Sequence, residues 1–182
     1  MAEIIVRDIF DTVSYLKYGF FISFLLTILL VILQYLHTKS LRVDYVLKYM
    51  IFVFYVTALI QITLLSRESG SRIAMDLIPF STWGTSARSR AYEYENVLLF
   101  LPMGILLPVC FKCFGKLRYA CPAFILISCL IELTQHITQR GYMQTDDVIM
   151  NGIGGVCGYF IWKVYRKTAD IKFRGDIGKT SL

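Results

Sequence analysis

Glu132, Gln135, His136 and Gln139 fall at i, i+3, i+4 and i+7 of one apolar run. On a helix that spacing puts all four on one face. A short break at Arg140-Gly141 follows, and Asp146-Asp147 then opens a second apolar run that carries Asn151. A carboxylate inside an apolar run is costly unless it is paired, binds something or moves a proton. Glu132 therefore reads as acid, base, ligand group or structural anchor, with Arg67 or Arg140 as its partner. Asp146 and Asp147 read either as N-cap and first-turn acids or as neighbouring carboxylates that bind a cation or hold one raised pKa. Asn96 and Asn151 read as ligand groups or as amides that hydrogen-bond between helices.

The candidate catalytic residues are thus Glu132, Asp146 and Asp147. The candidate ligand-binding residues are Arg67, Asn96, Gln135, Arg140 and Asn151. His136 has no second histidine near it, so no zinc site is expected. Cys110 and Cys113 have metal or redox spacing but no partner ligands, and the five cysteines read as small apolar residues. No metal and no cofactor is expected. The chain has no Gly-x-Ser-x-Gly, no His-Glu-x-x-His and no phosphate-cradling loop. Ser66 and Ser81 have no evident base. Any catalysis would rest on carboxylates and arginines, which suits hydrolysis or transfer at a lipid-linked phosphate or sugar.

The elements that hold these residues are apolar. Of 182 residues 56% are hydrophobic and 18% charged, with mean hydropathy +0.58. The apolar residues fall in five blocks: 18–36, 49–65, 96–111, 119–137 and 148–162. This is the pattern of an all-α integral membrane protein with about five transmembrane helices. Pro102 and Pro108 are expected to kink the third block. Gly154-x-x-x-Gly158 in the fifth is a close-packing spacing. The loop 67–95 is apolar around Ile73–Phe80 and carries Trp83, Tyr92 and Tyr94, so it reads as lying on the membrane surface or dipping in. Residues 1–17 read as an interfacial segment, 18–165 as the transmembrane domain, and 166–182 as a basic cytoplasmic tail. The chain from Lys163 onward reads as frayed.

The net charge of +6 does not point to nucleic acid, because the bases sit at the ends of apolar blocks. Topogenic signals and lipid headgroups explain them. With alternating spans, twelve Lys and Arg fall on one side and seven on the other. The richer side is expected to be cytoplasmic, which gives N-out and C-in. The same alternation gathers Arg67, Asn96, Glu132, Gln135, Arg140, Asp146, Asp147 and Asn151 at one membrane face, outward by the charge count.

Five motifs occur in order: Leu64-Leu-Ser-Arg67, Asp76-Leu-Ile-Pro-Phe80, Asn96-Val-Leu-Leu-Phe-Leu-Pro-Met-Gly104, Ile131-Glu-Leu-Thr-Gln135 with Arg140, and Asp146-Asp-Val-Ile-Met-Asn-Gly-Ile-Gly-Gly155. Together they resemble the VanZ-like family of bacterial membrane proteins over about residues 60–165. Asp76 stands where the family usually has Asn. The family is associated with resistance to teicoplanin, a glycopeptide antibiotic with a lipid tail that acts at the outer surface. The resemblance implies a protein of the bacterial cell membrane that protects the envelope. Its partners would be the lipid bilayer and either the drug or a lipid-linked envelope precursor. A membrane-embedded hydrolase or transferase and a non-catalytic assembly partner are the alternatives.

Overall fold

A computed structural model gives the architecture. It describes all residues except 1, 41, 67–69, 71–73, 82, 84–86, 181 and 182, and the side chains of 2–18, 87–88 and 172–180 are also outside the description. Five long helices dominate: α1 (Ala2–Thr38), α2 (Val43–Ile60), α3 (Ala87–Cys110), α4 (Leu117–Ile137) and α5 (Thr145–Thr180). α2 widens into a π-turn at Gln61–Leu65, and a 3₁₀ turn at Lys112–Gly115 joins α3 to α4. Two two-residue strands, β1 (Met75–Asp76) and β2 (Met143–Gln144), pair in parallel.

Large apolar side chains cover much of the outside, and several polar ones are buried beside an apolar core. Phe21, Leu29, Ile51, Leu98, Leu126 and Ile161 are exposed, while Ser128, Glu132, Gln135 and Asn151 are buried. A water-soluble protein reverses that distribution. Four helical segments, Gly19–Thr38, Val43–Leu65, Ser89–Cys110 and Leu117–Ile137, are long and apolar enough to cross a membrane. The chain is an all-α membrane protein. Hydroxyls in these segments are satisfied within their own helix: Thr27, Thr57, Thr63 and Thr134 each donate to the carbonyl four residues back. That is the accounting hydrocarbon surroundings demand.

α3 and α5 form the closest pair and run in the same direction. A Cβ on Gly158 would stand 2.0 Å from the Leu101 carbonyl oxygen, and one on Gly154 2.2 Å from that of Val97. A Cβ on Gly104 would stand 2.0 Å from the Gly155 carbonyl oxygen. Only glycine lets the backbones approach so closely. Gly155 instead faces the Phe124 ring of α4. The core is built on this seam from Leu59, Phe100, Met103, Leu107, Ala120, Phe124, Tyr159 and Trp162.

Several helix boundaries differ from the apolar blocks: α1 starts at Ala2 rather than 18 and α2 at Val43 rather than 49. α3 starts at Ala87 rather than Asn96, so the last part of the long loop is helical. Pro102 and Pro108 both lie inside α3, and the Tyr55 hydroxyl donates to the Leu99 carbonyl at 2.8 Å beside the first proline. α5 continues past Trp162 to Thr180 instead of fraying at Lys163. Neither glycine nor proline interrupts residues 163–174, so nothing there stops a helix.

The seam predicts a graded response to a single methyl group. Gly158→Ala should lower Tm in detergent by roughly 5 °C or more, since overpacking costs about 1–3 kcal/mol. Gly115→Ala should leave Tm near that of the parent, because its Cβ would meet only the Trp162 ring at 3.7 Å. Equal melting of the two variants would contradict the seam.

Candidate functional site

The polar residues gather where α2 ends, α4 ends and α5 begins. The last carbonyls of a helix have no partner within it. Here each of three successive ones takes a side chain. The Ile62 carbonyl accepts from Ser66 Oγ at 2.7 Å, that of Thr63 from Gln135 Nε2 at 2.9 Å, and that of Leu64 from Arg140 Nη1 at 3.0 Å. The widened turn shows directly in the bond from Ser66 N–H to the Gln61 carbonyl. Such turns are rare and recur at functional sites.

Glu132 lies one turn before Gln135 on α4 and is 2% exposed. Its Oε2 accepts from the Gln144 backbone N–H at 3.0 Å. The carboxylate thereby reaches β2, and β1–β2 pairing links it to the long loop. No ion pair within 4.0 Å joins Glu132 to Arg140; among the described residues only Arg42–Asp44 is so paired. Arg140 is committed to a helix end instead. Arg67 lies outside the described residues.

One turn deeper on the same face of α4, Ser128 accepts from Asn151 Nδ2 of α5 at 2.8 Å. Ser128, Glu132 and Gln135 are all buried. Ser128 was not among the sequence candidates, although its i−4 relation to Glu132 was available as a signal. Asn96 is half-buried on α3, one residue before the contact between Val97 and Gly154, at the same end of the bundle.

The acidic pair divides. Asp146 is 4% exposed and its carboxylate accepts from the Phe80 N–H. Asp147, in the first turn of α5, is half-buried. The bond from Asp146 holds an unusual backbone. Phe80 has φ +65°, a left-handed conformation that a bulky residue rarely adopts. Asp76, in the position noted above, shapes the same turn by accepting from Ile78 N–H and Ser81 Oγ. The turn displays Leu77, Ile78, Phe80 and Trp83 outward, with the last two rings 5.0 Å apart. An apolar lip is therefore tied to the edge of the polar cluster through Asp146 and the β1–β2 pairing.

Gln135 Oε1, Asn151 Oδ1 and His136 Nδ1 are buried without a hydrogen-bond partner among the described residues, as is Gln61 Oε1, which lies against Gly19 of α1. The Gln135 orientation is fixed chemically, since the carbonyl of Thr63 can only accept and must face the NH₂. Among the described residues no three His, Cys, Asp or Glu are placed to hold a metal ion. The arrangement offers buried carboxylates and amide oxygens to a ligand that donates hydrogen bonds or carries positive charge.

Asp146 is expected to act as the latch of this lip. Asp146→Ala should speed chymotryptic cleavage at Phe80 or Trp83 roughly ten- to a hundredfold, the range expected for losing one charge-assisted bond. Asp146→Asn keeps an acceptor oxygen and should cleave nearly as slowly as the parent. Indifference of cleavage to both changes would rule the latch out.

Comparison with known proteins places this geometry in a family. The VanZ/LLP1 family model matches residues 45–166, which takes in α2 through the apolar part of α5 and every candidate residue. The chain is 32% identical over 109 residues to Protein VanZ of Enterococcus faecium, covering 59% of this chain and 64% of that protein. The chain thus spans somewhat less than two thirds of that relative's length. No solved structure matches. By the extent of the model match and the motifs it contains, the chain belongs to the VanZ/LLP1 family.

Proposed function

We propose that this protein shields the bacterial cell envelope from lipid-tailed glycopeptides of the teicoplanin kind. In this reading it is a multi-pass protein of the cell membrane with five crossings. Its N-terminus faces out, its C-terminus faces in, and the polar cluster opens outward. The cluster binds the drug itself or a lipid-linked envelope component. Family membership supports the role at the coarse level. The observation that supports the finer reading is that buried Glu132 bonds β2, whose partner strand β1 leads into an exposed apolar turn. A ligand with a lipid tail and a polar head needs both features side by side. The lip suits the tail, and the carboxylates and amide oxygens suit donor groups on the head.

Glu132 is the residue whose charge matters in this scheme. Glu132→Gln keeps an acceptor oxygen for the Gln144 N–H but removes charge and acid–base capacity. At matched membrane expression it should return teicoplanin susceptibility to the vector-only level. Arg67→Gln should do the same, and the Glu132→Gln/Arg67→Gln double variant should add nothing. Arg140→Gln, run in parallel, removes the cap on Leu64 and should lower expression or Tm as well. Full protection by Glu132→Gln at parental expression would sink the carboxylate site and favour a non-catalytic assembly role.

The orientation has its own readout. In a cysteine-free background, Thr138→Cys should react with an impermeant maleimide on intact cells. Lys116→Cys should react only after permeabilisation. Both positions are exposed, so reactivity reports sidedness rather than burial. The opposite pattern would turn the polar cluster toward the cytoplasm.

A further inference from the structure

The end of the bundle away from Glu132 carries a different site. An open cavity of about 460 Å³ lies between α5 and the 3₁₀ turn after α3, lined by Gly115, Trp162, Lys163, Arg166, Lys167 and Asp170. We propose that it holds the headgroup of an anionic, hydroxyl-bearing phospholipid of the phosphatidylglycerol type.

The cavity walls are fixed. The Tyr159 hydroxyl donates to the Gly115 carbonyl at 2.8 Å, which ties the turn to α5. The Trp162 ring is 8% exposed and packs against Tyr159 with centroids 5.4 Å apart. Gly115 presents no side chain, so the space beside the indole stays open. The Arg166 guanidinium lies 5.5 Å from the centre of the Trp162 ring, which draws it back toward the apolar part of α5. Tryptophan at such a boundary marks the headgroup level of a bilayer.

The charges fit one phosphodiester and something more. Lys163, Arg166, Lys167 and Asp170 fall at i, i+3, i+4 and i+7, on one face of α5. No cation among the described residues lies within 4.0 Å of the Asp170 carboxylate. Three cations attract a phosphate. Asp170 repels a second negative charge but accepts hydrogen bonds from glycerol hydroxyls. The pocket therefore favours a singly charged phosphodiester with a polyol over phosphatidic acid or inorganic phosphate. Exposed Lys112 in the same turn, and Lys116 and Arg118 at the start of α4, raise the local potential.

The protein supplies its own reporter. It has two tryptophans, Trp83 and Trp162, so Trp83→Phe leaves one indole in the cavity wall. Full-length Trp83→Phe protein would be reconstituted in phosphatidylcholine vesicles doped with phosphatidylglycerol or phosphatidic acid, brominated on the acyl chains. Brominated phosphatidylglycerol should quench Trp162 well beyond its bulk fraction, and brominated phosphatidylcholine should not. The Lys163→Gln/Arg166→Gln/Lys167→Gln variant should lose that preference, by about fivefold per cation and roughly a hundredfold in all. A control, Lys39→Gln/Arg42→Gln/Lys48→Gln, removes as many charges from the α1–α2 turn and should keep it. Asp170→Asn should weaken phosphatidylglycerol and strengthen phosphatidic acid. Equal loss in both triple variants would reduce the effect to a diffuse surface field and overturn the site. Displacement by soluble glycerol phosphate or inorganic phosphate would reassign it to a free anion. An unchanged lipid order in Asp170→Asn would remove the hydroxyl assignment.

Discussion

A helix that ends inside an apolar bundle leaves carbonyls that water cannot reach. α2 ends this way, and the carbonyls of Thr63 and Leu64 are closed by Gln135 and Arg140 from the far end of α4. Leaving a buried acceptor unpaired costs about 1–3 kcal/mol, so these two bonds pin α4 against α2 in register. Glu132, one turn earlier on the same face, is carried to its place by that register. From there it takes the Gln144 N–H, and the β1–β2 pairing that follows ties the lip to the edge of the cluster. The polar site is thus a by-product of capping as much as a collection of side chains.

Much of this was legible before any coordinates. The helices announce themselves as apolar blocks, and the glycine spacing around Gly154 and Gly158 marks a helix contact. Glu132, Gln135 and Asn151 stand out as polar residues inside apolar runs and Asp146 as an acid at the start of one, and all four are buried. The partners were harder to read. Glu132 reads as paired with Arg67 or Arg140 because opposite charges attract; Arg67 lies outside the described residues, and the Arg140 guanidinium reaches a backbone carbonyl. Carbonyls belong to every residue and leave no trace in composition. The π-turn at Gln61–Leu65 is equally silent, since it involves neither glycine nor proline, and at Phe80 the preceding Pro79 signals a turn but not that a phenylalanine takes its left-handed position. The start of α3 at Ala87 was missed because residues 87–95 are polar enough to pass for loop.

The two ends of the bundle divide their chemistry. One gathers carboxylates and amide oxygens beside exposed aromatics. The other gathers lysines and arginines around Trp162 and Gly115. α5 joins them, opening with Asp146-Asp147 and continuing past Trp162 into Lys163, Arg166 and Lys167. The helix dipole favours the acids in the first turn of α5, whereas Lys163, Arg166 and Lys167 lie mid-helix and owe it nothing.

The glycine seam also sets what can move. At Gly154 and Gly158 the backbone of α5 rests on the carbonyls of Val97 and Leu101, with no side chain between to change rotamer. Close-packed surfaces of this kind do not slide by small steps. α3 and α5 therefore behave as one stiff rod, with the acidic and basic ends at a fixed separation. Widening of the polar cluster has to come from elsewhere. The candidates are α1 with α2, which touch the rod through side chains, and the short turn around Phe80, held by the Asp146 carboxylate and one pair of two-residue strands. α3 and α5 form the fixed part of the bundle, and the Phe80 turn joins it through one side-chain bond and one short strand pair.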